Sequence, residues 1–298
     1  MSKSNDNTYW RDPALGEPRD FDVAGGRMRA YVAGTGEPLV FVHGALVNAN
    51  LWRKVVARLS PDFQCVCLEM PLGSHEIAMP GRDMLDPTAI ADLIPEAVEA
   101  LGLERPTVIG NDSGGGLTQV ALSRNPEFAS RLVLTSCDAY ENFPPRFFNL
   151  LLYPLRYPVI GRALFAPMRL RAPRNAPIAF GWLQNDRLDP QVGDSYVLPM
   201  LTDKGAANDI ARALKGIDPS YTLAAIEKLR SWDRPALIAW SREDKFFPVK
   251  HGEKLAADLP NARLELIEGA RTFSAEDQPE RLAELIAAFV REPVAAPA

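Results

Sequence analysis

Thr107-Val108-Ile109-Gly110-Asn111-Asp112-Ser113-Gly114-Gly115-Gly116 carries an apolar strand into a glycine-flanked polar turn, with a helix-like stretch beyond it. A sharp strand-to-helix turn of this kind lifts one side chain clear of the backbone. Glycines flank it because strand and helix cross too closely for a Cβ. The side chain lifted out here is that of Asp112. The plainer alternative is a turn-forming aspartate with Ser113 as the reactive residue. Ser113 would then need glycine at 111, and Asn111 stands there.

Outward from this turn the chain alternates strand and helix. Residues 38–42 form a continuous apolar run, the mark of a buried central strand, and end in His43-Gly44-Ala45-Leu46. Residues 21–33 alternate around Gly25-Gly26 as a hairpin, and residues 1–16 are polar enough to read as a loose arm. Further strands are expected at 63–68, 132–135, 235–240 and 264–267. Helices are expected at 51–60, 86–102, from the turn to about 125, 249–258 and 277–291, with Pro87 at a first turn. Residues 72–85 read as a loop that contains His75. Residues 138–230 break the alternation with proline, aromatic residues and arginine. Helical patches at about 144–153, 190–201, 204–215 and 219–230 make this stretch a lid. The expected organisation is core at 1–137, helical lid at 138–230 and core again at 231–298. It is an α/β architecture with a mostly parallel sheet flanked by helices on both faces.

Composition narrows the function. The chain has 298 residues, is 47% hydrophobic and carries a net charge of -5, with a pI near 5.4. That balance argues against a nucleic-acid partner, and no apolar run is long enough for a membrane span. The first residues lack the apolar core of a signal peptide, so the expected location is cytoplasmic. Cys65, Cys67 and Cys137 have no metal-ligand spacing and suit a reducing compartment. Histidines are scarce: His43, His75 and His251.

Taken together, His43-Gly44 after a buried strand, the turn at 110–114, Asp244 after a late strand and Gly269-Ala270-Arg271-Thr272 before the last helix resemble the α/β-hydrolase superfamily. The aspartate at the turn resembles the branch that holds haloalkane dehalogenases, epoxide hydrolases and fluoroacetate dehalogenases. Leu51-Trp52-Arg53 and Glu276-Asp277-Gln278-Pro279 are similar in spacing to haloalkane dehalogenases. The resemblance implies an α/β-hydrolase fold and no cofactor or metal. It implies a small or medium hydrophobic substrate of epoxide, haloalkane or ester type, and a monomer or homodimer. Asp112 would be the nucleophile, forming an alkyl-enzyme ester that a histidine-activated water then cleaves. Asp244 would be the acid, with Glu243 beside it and Asp138 as a rival. The N–H groups of Ala45 and Ser113 would form the oxyanion hole. His43 reads as structural.

The departure lies at the base. The resemblance places a histidine at residue 272, and the chain has Thr272, which cannot take a proton from water near neutral pH. One resolution is that His75 or His251 serves instead. A second is that Asp112, raised in pKa by a dry pocket, works as general acid or base in proton transfer, elimination, cyclisation or isomerisation, even sharing a proton with Asp244. A third is that the protein binds ligand without turnover or stalls at the ester. The usual halide donors are absent, since Ser113 and Ala45 stand where tryptophan and asparagine would. Ser113 also replaces the arginine of fluoroacetate dehalogenases, and Leu46 the usual proline of epoxide hydrolases. Tyr140, Tyr153, Tyr157 and Tyr196 are candidates to protonate an opening epoxide. Phe143, Phe147, Phe148, Leu150, Leu151, Phe165, Phe180 and Trp182 suit an apolar lid. Arg146, Arg156, Arg162, Arg169, Arg171 and Arg174 form a basic, solvated face or a subsite for an anion.

Overall fold

Eight strands form one sheet in the order β1-β2-β4-β3-β5-β6-β7-β8. The computed structural model describes residues 9–81, 85–145, 147–148 and 152–293. The strands are β1 Glu17–Val23, β2 Gly26–Ala33, β3 Pro38–Val42, β4 Gln64–Leu68, β5 Thr107–Asp112, β6 Arg131–Cys137, β7 Ala236–Ser241 and β8 Ala262–Ile267. The β1/β2 hairpin turns at Gly25, and both β1/β2 and β2/β4 pair antiparallel. From β4 to β8 every pair is parallel. The central strands β6 and β7 are buried along their whole length, β3 and β5 almost so. Both faces of the sheet are therefore covered, and these strands read as apolar runs rather than alternating patterns.

Helices α1 Arg53–Leu59, α2 Pro87–Ala100 and α3 Ser113–Arg124 connect the first strands. Between β6 and β7 come α4 Pro158–Phe165, α5 Pro190–Thr202, α6 Lys204–Gly216 and α7 Ser220–Leu229. After β7 follow α8 Val249–Asp258 and α9 Pro279–Arg291. Helix α7 packs along α3 rather than over the cavity described below. The expected helix at 144–153 falls partly outside the described residues. Neither α4 nor the short turns at Ala166–Arg169 and Pro177–Gly181 were expected from the sequence, whose proline-broken pattern hides their period.

Strand β4 flanks one side of β3 and β5 the other. The chain therefore reverses direction across the sheet at β3, and a crevice opens at the carboxyl ends of these strands, where ligands bind in open α/β sheets. Five chain segments leave the sheet at that end. They bring Ala45, Asp112, Asp138, Asp244 and Thr272 to one side of the molecule.

Two packing features differ from, or extend, the sequence reading. Residues 9–16 are no loose arm. Arg11 bonds Glu69 at 2.9 and 2.6 Å, and Leu15 is fully buried. The stretches at 51–53 and 276–279 meet in space. The Arg53 guanidinium forks onto both oxygens of Glu276, with Lys54 Nζ 3.0 Å away. Both Arg53 and Glu276 are almost entirely buried. Removing Glu276 leaves the buried Arg53 guanidinium with only the more distant Asp12 carboxylate, 3.8 Å from its Nε, so Glu276→Ala should cost about 3 kcal/mol of unfolding free energy. Urea unfolding checks this; a loss below about 1 kcal/mol would show that the pair contributes little.

Candidate active site

The turn after β5 holds Asp112 at φ 53° and ψ -132°, a left-handed strain that a non-glycine residue rarely carries and that clusters at functional sites. The pairing of β5 with β6 slips by one residue between Asn111 and Asp112, which marks where the chain leaves the sheet. The glycines are needed on steric grounds. A Cβ on Gly110 would lie 2.6 Å from Gly115 Cα, and one on Gly114 2.4 Å from Val42 O. Gly44 has a role not evident in the sequence, since a Cβ there would lie 2.3 Å from Asp112 Oδ2. It makes room for the carboxylate.

A cavity of about 350 Å³ stands above this turn. Asp112, Ser113, Ala45 and Leu46 form its floor, and Pro144, Phe148, Leu155, Leu164, Phe165, Met168, Ile178, Phe180 and Leu183 are among its walls and roof. Among the described residues, Asp112 and Ser113 supply the only polar side chains of this lining. Burial in such surroundings disfavours the charged carboxylate and raises the Asp112 pKa to about 7. The negative Asp244 adds to the shift, while the N–H and hydroxyl of Ser113 oppose it.

Asp244 and Thr272 form a bonded pair. Asp244 Oδ1 accepts from the N–H groups of Phe246 and Phe247 at 2.7 and 2.9 Å and from the Thr272 hydroxyl at 3.1 Å. Its Oδ2 has no partner among the described residues, and burial lifts its pKa to about 6 against those hydrogen bonds. Thr272 is fully buried, and its carbonyl accepts from Asn111 Nδ2 at 2.8 Å. Asn111 thus ties the β5 turn to the segment after β8. The signal available in the sequence was a lone amide in an otherwise apolar strand. Glu243, the neighbour of Asp244, is exposed and accepts from the Ala270 N–H at 3.0 Å.

Asp138 lies directly behind the turn, with its N–H bonded to Asp112 O at 3.2 Å. It is fully buried, and neither carboxyl oxygen has a hydrogen-bond partner among the described residues. Burial, with the Asp112 charge adding to it, holds this carboxyl well above its ordinary range, and the nearby Ser113 hydroxyl opposes this only in part. Its neutral form is therefore favoured over that of an exposed aspartate. Its folded pKa is raised, so its stability contribution is present at acid pH and lost as pH rises above the unfolded value of about 4. The uncharged Asp138→Asn should leave stability unchanged near pH 4 and raise it at pH 8. Thermal melts at both pH values test this, and a lower melting temperature at pH 8 would contradict it.

The other candidates lie elsewhere. His43 donates from Nδ1 to Gly44 O at 2.8 Å and accepts at Nε2 from the Met70 N–H at 3.0 Å. Burial pushes its pKa down to about 4, so it is a neutral brace of its turn. His75 accepts the Gly73 N–H at 3.2 Å and faces Asp209 of α6 at 3.0 Å. Both ring nitrogens are occupied, and His75, with the Met79 N–H, fastens residues 73–79 to Asp209 of α6 outside the cavity lining. His251 sits on α8 beside the Tyr140 ring. None of Tyr140, Tyr153, Tyr157, Tyr196 and Trp182 lines the cavity. The Tyr140 hydroxyl bonds Asp258 at 2.9 Å. Tyr153 and Tyr157 are half-exposed on the outside, Tyr196 is buried against Phe180, and Trp182 stacks with Phe147 and Phe246. Leu150, Leu151 and Arg146 lie outside the described residues. Among the described residues no cluster of three or more His, Cys, Asp or Glu side chains is placed to hold a metal ion, and no helix is long and apolar enough to cross a membrane.

Residues 37–279 match the model of the alpha/beta hydrolase fold, and the chain belongs to that family. An uncharacterised hydrolase of Bacillus subtilis is 26% identical over 86% of this chain and 90% of its own length. Haloalkane dehalogenase 2 of Mycobacterium tuberculosis is 24% identical over 91% and 93%. The 2-hydroxymuconate semialdehyde hydrolase of Pseudomonas sp. is 25% identical over 97% and 99%. The solved haloalkane dehalogenase DatA of Agrobacterium tumefaciens superposes with a TM-score of 0.77 at 20% identity, covering 94% of this chain and 99% of its own, a likeness of fold.

Proposed function

We propose that this α/β-hydrolase-family enzyme uses the Asp112 carboxylate as nucleophile on a small or medium apolar substrate of the haloalkane or epoxide class, bound under the helical lid. The observation that carries this reading is the cavity, in which a strained, upward-pointing carboxylate faces walls of apolar side chains. An Asp112 oxygen attacks a saturated carbon, and the carbon–halogen or carbon–oxygen bond breaks. Its electron pair leaves as halide, or as an alkoxide that takes a proton from solvent. The product is an ester of Asp112. Water must then attack the ester carbonyl, where the N–H groups of Ala45 and Ser113 are candidates to receive the developing oxyanion. Thr272 beside Asp244 supplies no base for that water, so the ester accumulates.

A second reading has its own observation. With a pKa near 7, Asp112 is half-protonated at neutral pH and suits proton transfer on a bound substrate.

Intact mass spectrometry after incubation with haloalkane and epoxide panels separates the readings. A stoichiometric mass gain, absent in Asp112→Asn, supports the nucleophile. Turnover that depends on Asp112 without a mass gain supports acid–base catalysis instead. Ligand bound equally well by Asp112→Ala, with no product, overturns both and assigns a binding protein.

A further inference from the structure

Among the described residues, nine of the ten large apolar side chains that are well exposed fall between positions 147 and 182. Val159 is 82% exposed and Leu170 68%. Helix α4 turns Val159, Ile160 and Leu164 outward together, where a surface helix would ordinarily carry charge. Charge in the same stretch is one-sided. Residues 142–185 contain six arginines and no aspartate, glutamate or lysine, in a chain whose net charge is -5. Arg174 is paired, with Asp194 at 2.6 Å. Arg156, Arg162, Arg169 and Arg171 have no carboxylate partner among the described residues, and Arg169 and Arg171 flank the exposed Leu170. The Arg156 guanidinium lies 5.1 Å from the exposed Tyr153 ring. Leu164 and Ile178 belong to this outer face and also line the cavity above Asp112. Apolar surface therefore runs without a break from the exterior into the pocket.

We propose that this face of the lid docks on an anionic lipid surface and that the pocket draws its apolar substrate from that surface. Apolar side chains flanked by arginines match both layers of such a boundary. The hydrocarbon enters the acyl region, and the guanidinium groups reach acidic headgroups. Charge complementarity selects this occupant. A second copy docking the same face two-fold symmetrically would set unpaired arginines against unpaired arginines with no acid between them. Docking of this kind is independent of which reaction Asp112 performs.

The test is co-sedimentation of the full chain with phosphatidylcholine vesicles, with and without phosphatidylserine. The wild type should partition onto the phosphatidylserine vesicles and be released by salt. Val159→Asp, and separately Arg169→Glu with Arg171→Glu, should each reduce partitioning by roughly tenfold or more, with unchanged melting temperatures. A charge-matched control elsewhere, Arg19→Glu with Arg105→Glu, should leave it largely intact. Absence of wild-type binding to the phosphatidylserine vesicles would overturn the proposal. So would an equal loss in the control, or a wild-type dimer that Val159→Asp converts to a monomer while vesicle binding is unaffected.

Discussion

Histidine in place of Thr272 is expected to raise steady-state hydrolysis by about 10²–10⁴-fold, the usual contribution of a positioned general base. The Thr272 hydroxyl already sits 3.1 Å from Asp244 Oδ1, and its backbone is held by Asn111. An imidazole on that backbone has the same carboxylate to orient one nitrogen, leaving the other for water. In the wild type, a haloalkane should release one equivalent of halide per enzyme with no alcohol, an epoxide should release no diol, and the ester should persist. In Thr272→His, product release should continue and the ester peak should fade from the intact mass. The base must be neutral, so the variant's hydrolysis rate should rise with pH through the histidine pKa. Position 272 is fully buried, so the larger ring is expected to cost about 1–3 kcal/mol of stability. A folded Thr272→His protein with no gain in product release would show that more than the base separates this pocket from a hydrolytic one.

Asp112→Asn should have the larger effect and in two directions. Adduct formation and turnover should fall by about four orders of magnitude, to background, because the reacting atom itself is removed. Stability should rise. In the folded protein the Asp112 pKa is about 7, against about 4 for an unfolded aspartate. The raised value means that between these limits the folded state holds a proton the unfolded state has released. Stability is therefore full below about pH 4, declines as pH rises to about 7, and is level above it. Three units at about 1.4 kcal/mol each set a ceiling of about 4 kcal/mol. Partial solvent access reduces the expected gain at pH 8 to about 2 kcal/mol. Melting curves at pH 4 and pH 8 should coincide for the two proteins at the first and separate at the second, with the variant higher. The same titration makes alkylation by the wild type faster as pH rises through about 7. A rate that instead falls over that range would favour the acid–base reading.

The order of strands and helices was readable because each depends on its own neighbours. Apolar runs such as 38–42 mark buried parallel strands, and Gly110 and Gly114 mark a crossing without space for a Cβ. The resemblance added Asp244 and the altered position 272, and these two side chains do touch in the structure. Other features depended on partners far away in the chain. Asn111 reaches a carbonyl 161 residues on. Tyr140 gave no hint in its local pattern that its hydroxyl turns to Asp258 rather than to a substrate. His75 reads as available in its loop, but Asp209 of a distant helix faces its ring. The exposure of Val159 and Leu170 was equally hidden, since an apolar residue in a proline-rich stretch reads the same whether it points in or out.

Asp112 remains the centre from which the chain is understood. By itself the sequence determined the α/β alternation, the glycine-framed turn and the presence of an aspartate there without a histidine at 272, because these are matters of residue type and local sterics. Only the tertiary structure decided that Asp112 lies beneath an apolar cavity with Ser113 as its one polar neighbour among the described residues of the lining, and that the Asp138 carboxyl is buried behind it with no hydrogen-bond partner among the described residues. Desolvation, which raises both pKa values, depends on what surrounds a side chain in three dimensions, and segments from 44 to 272 together create those surroundings.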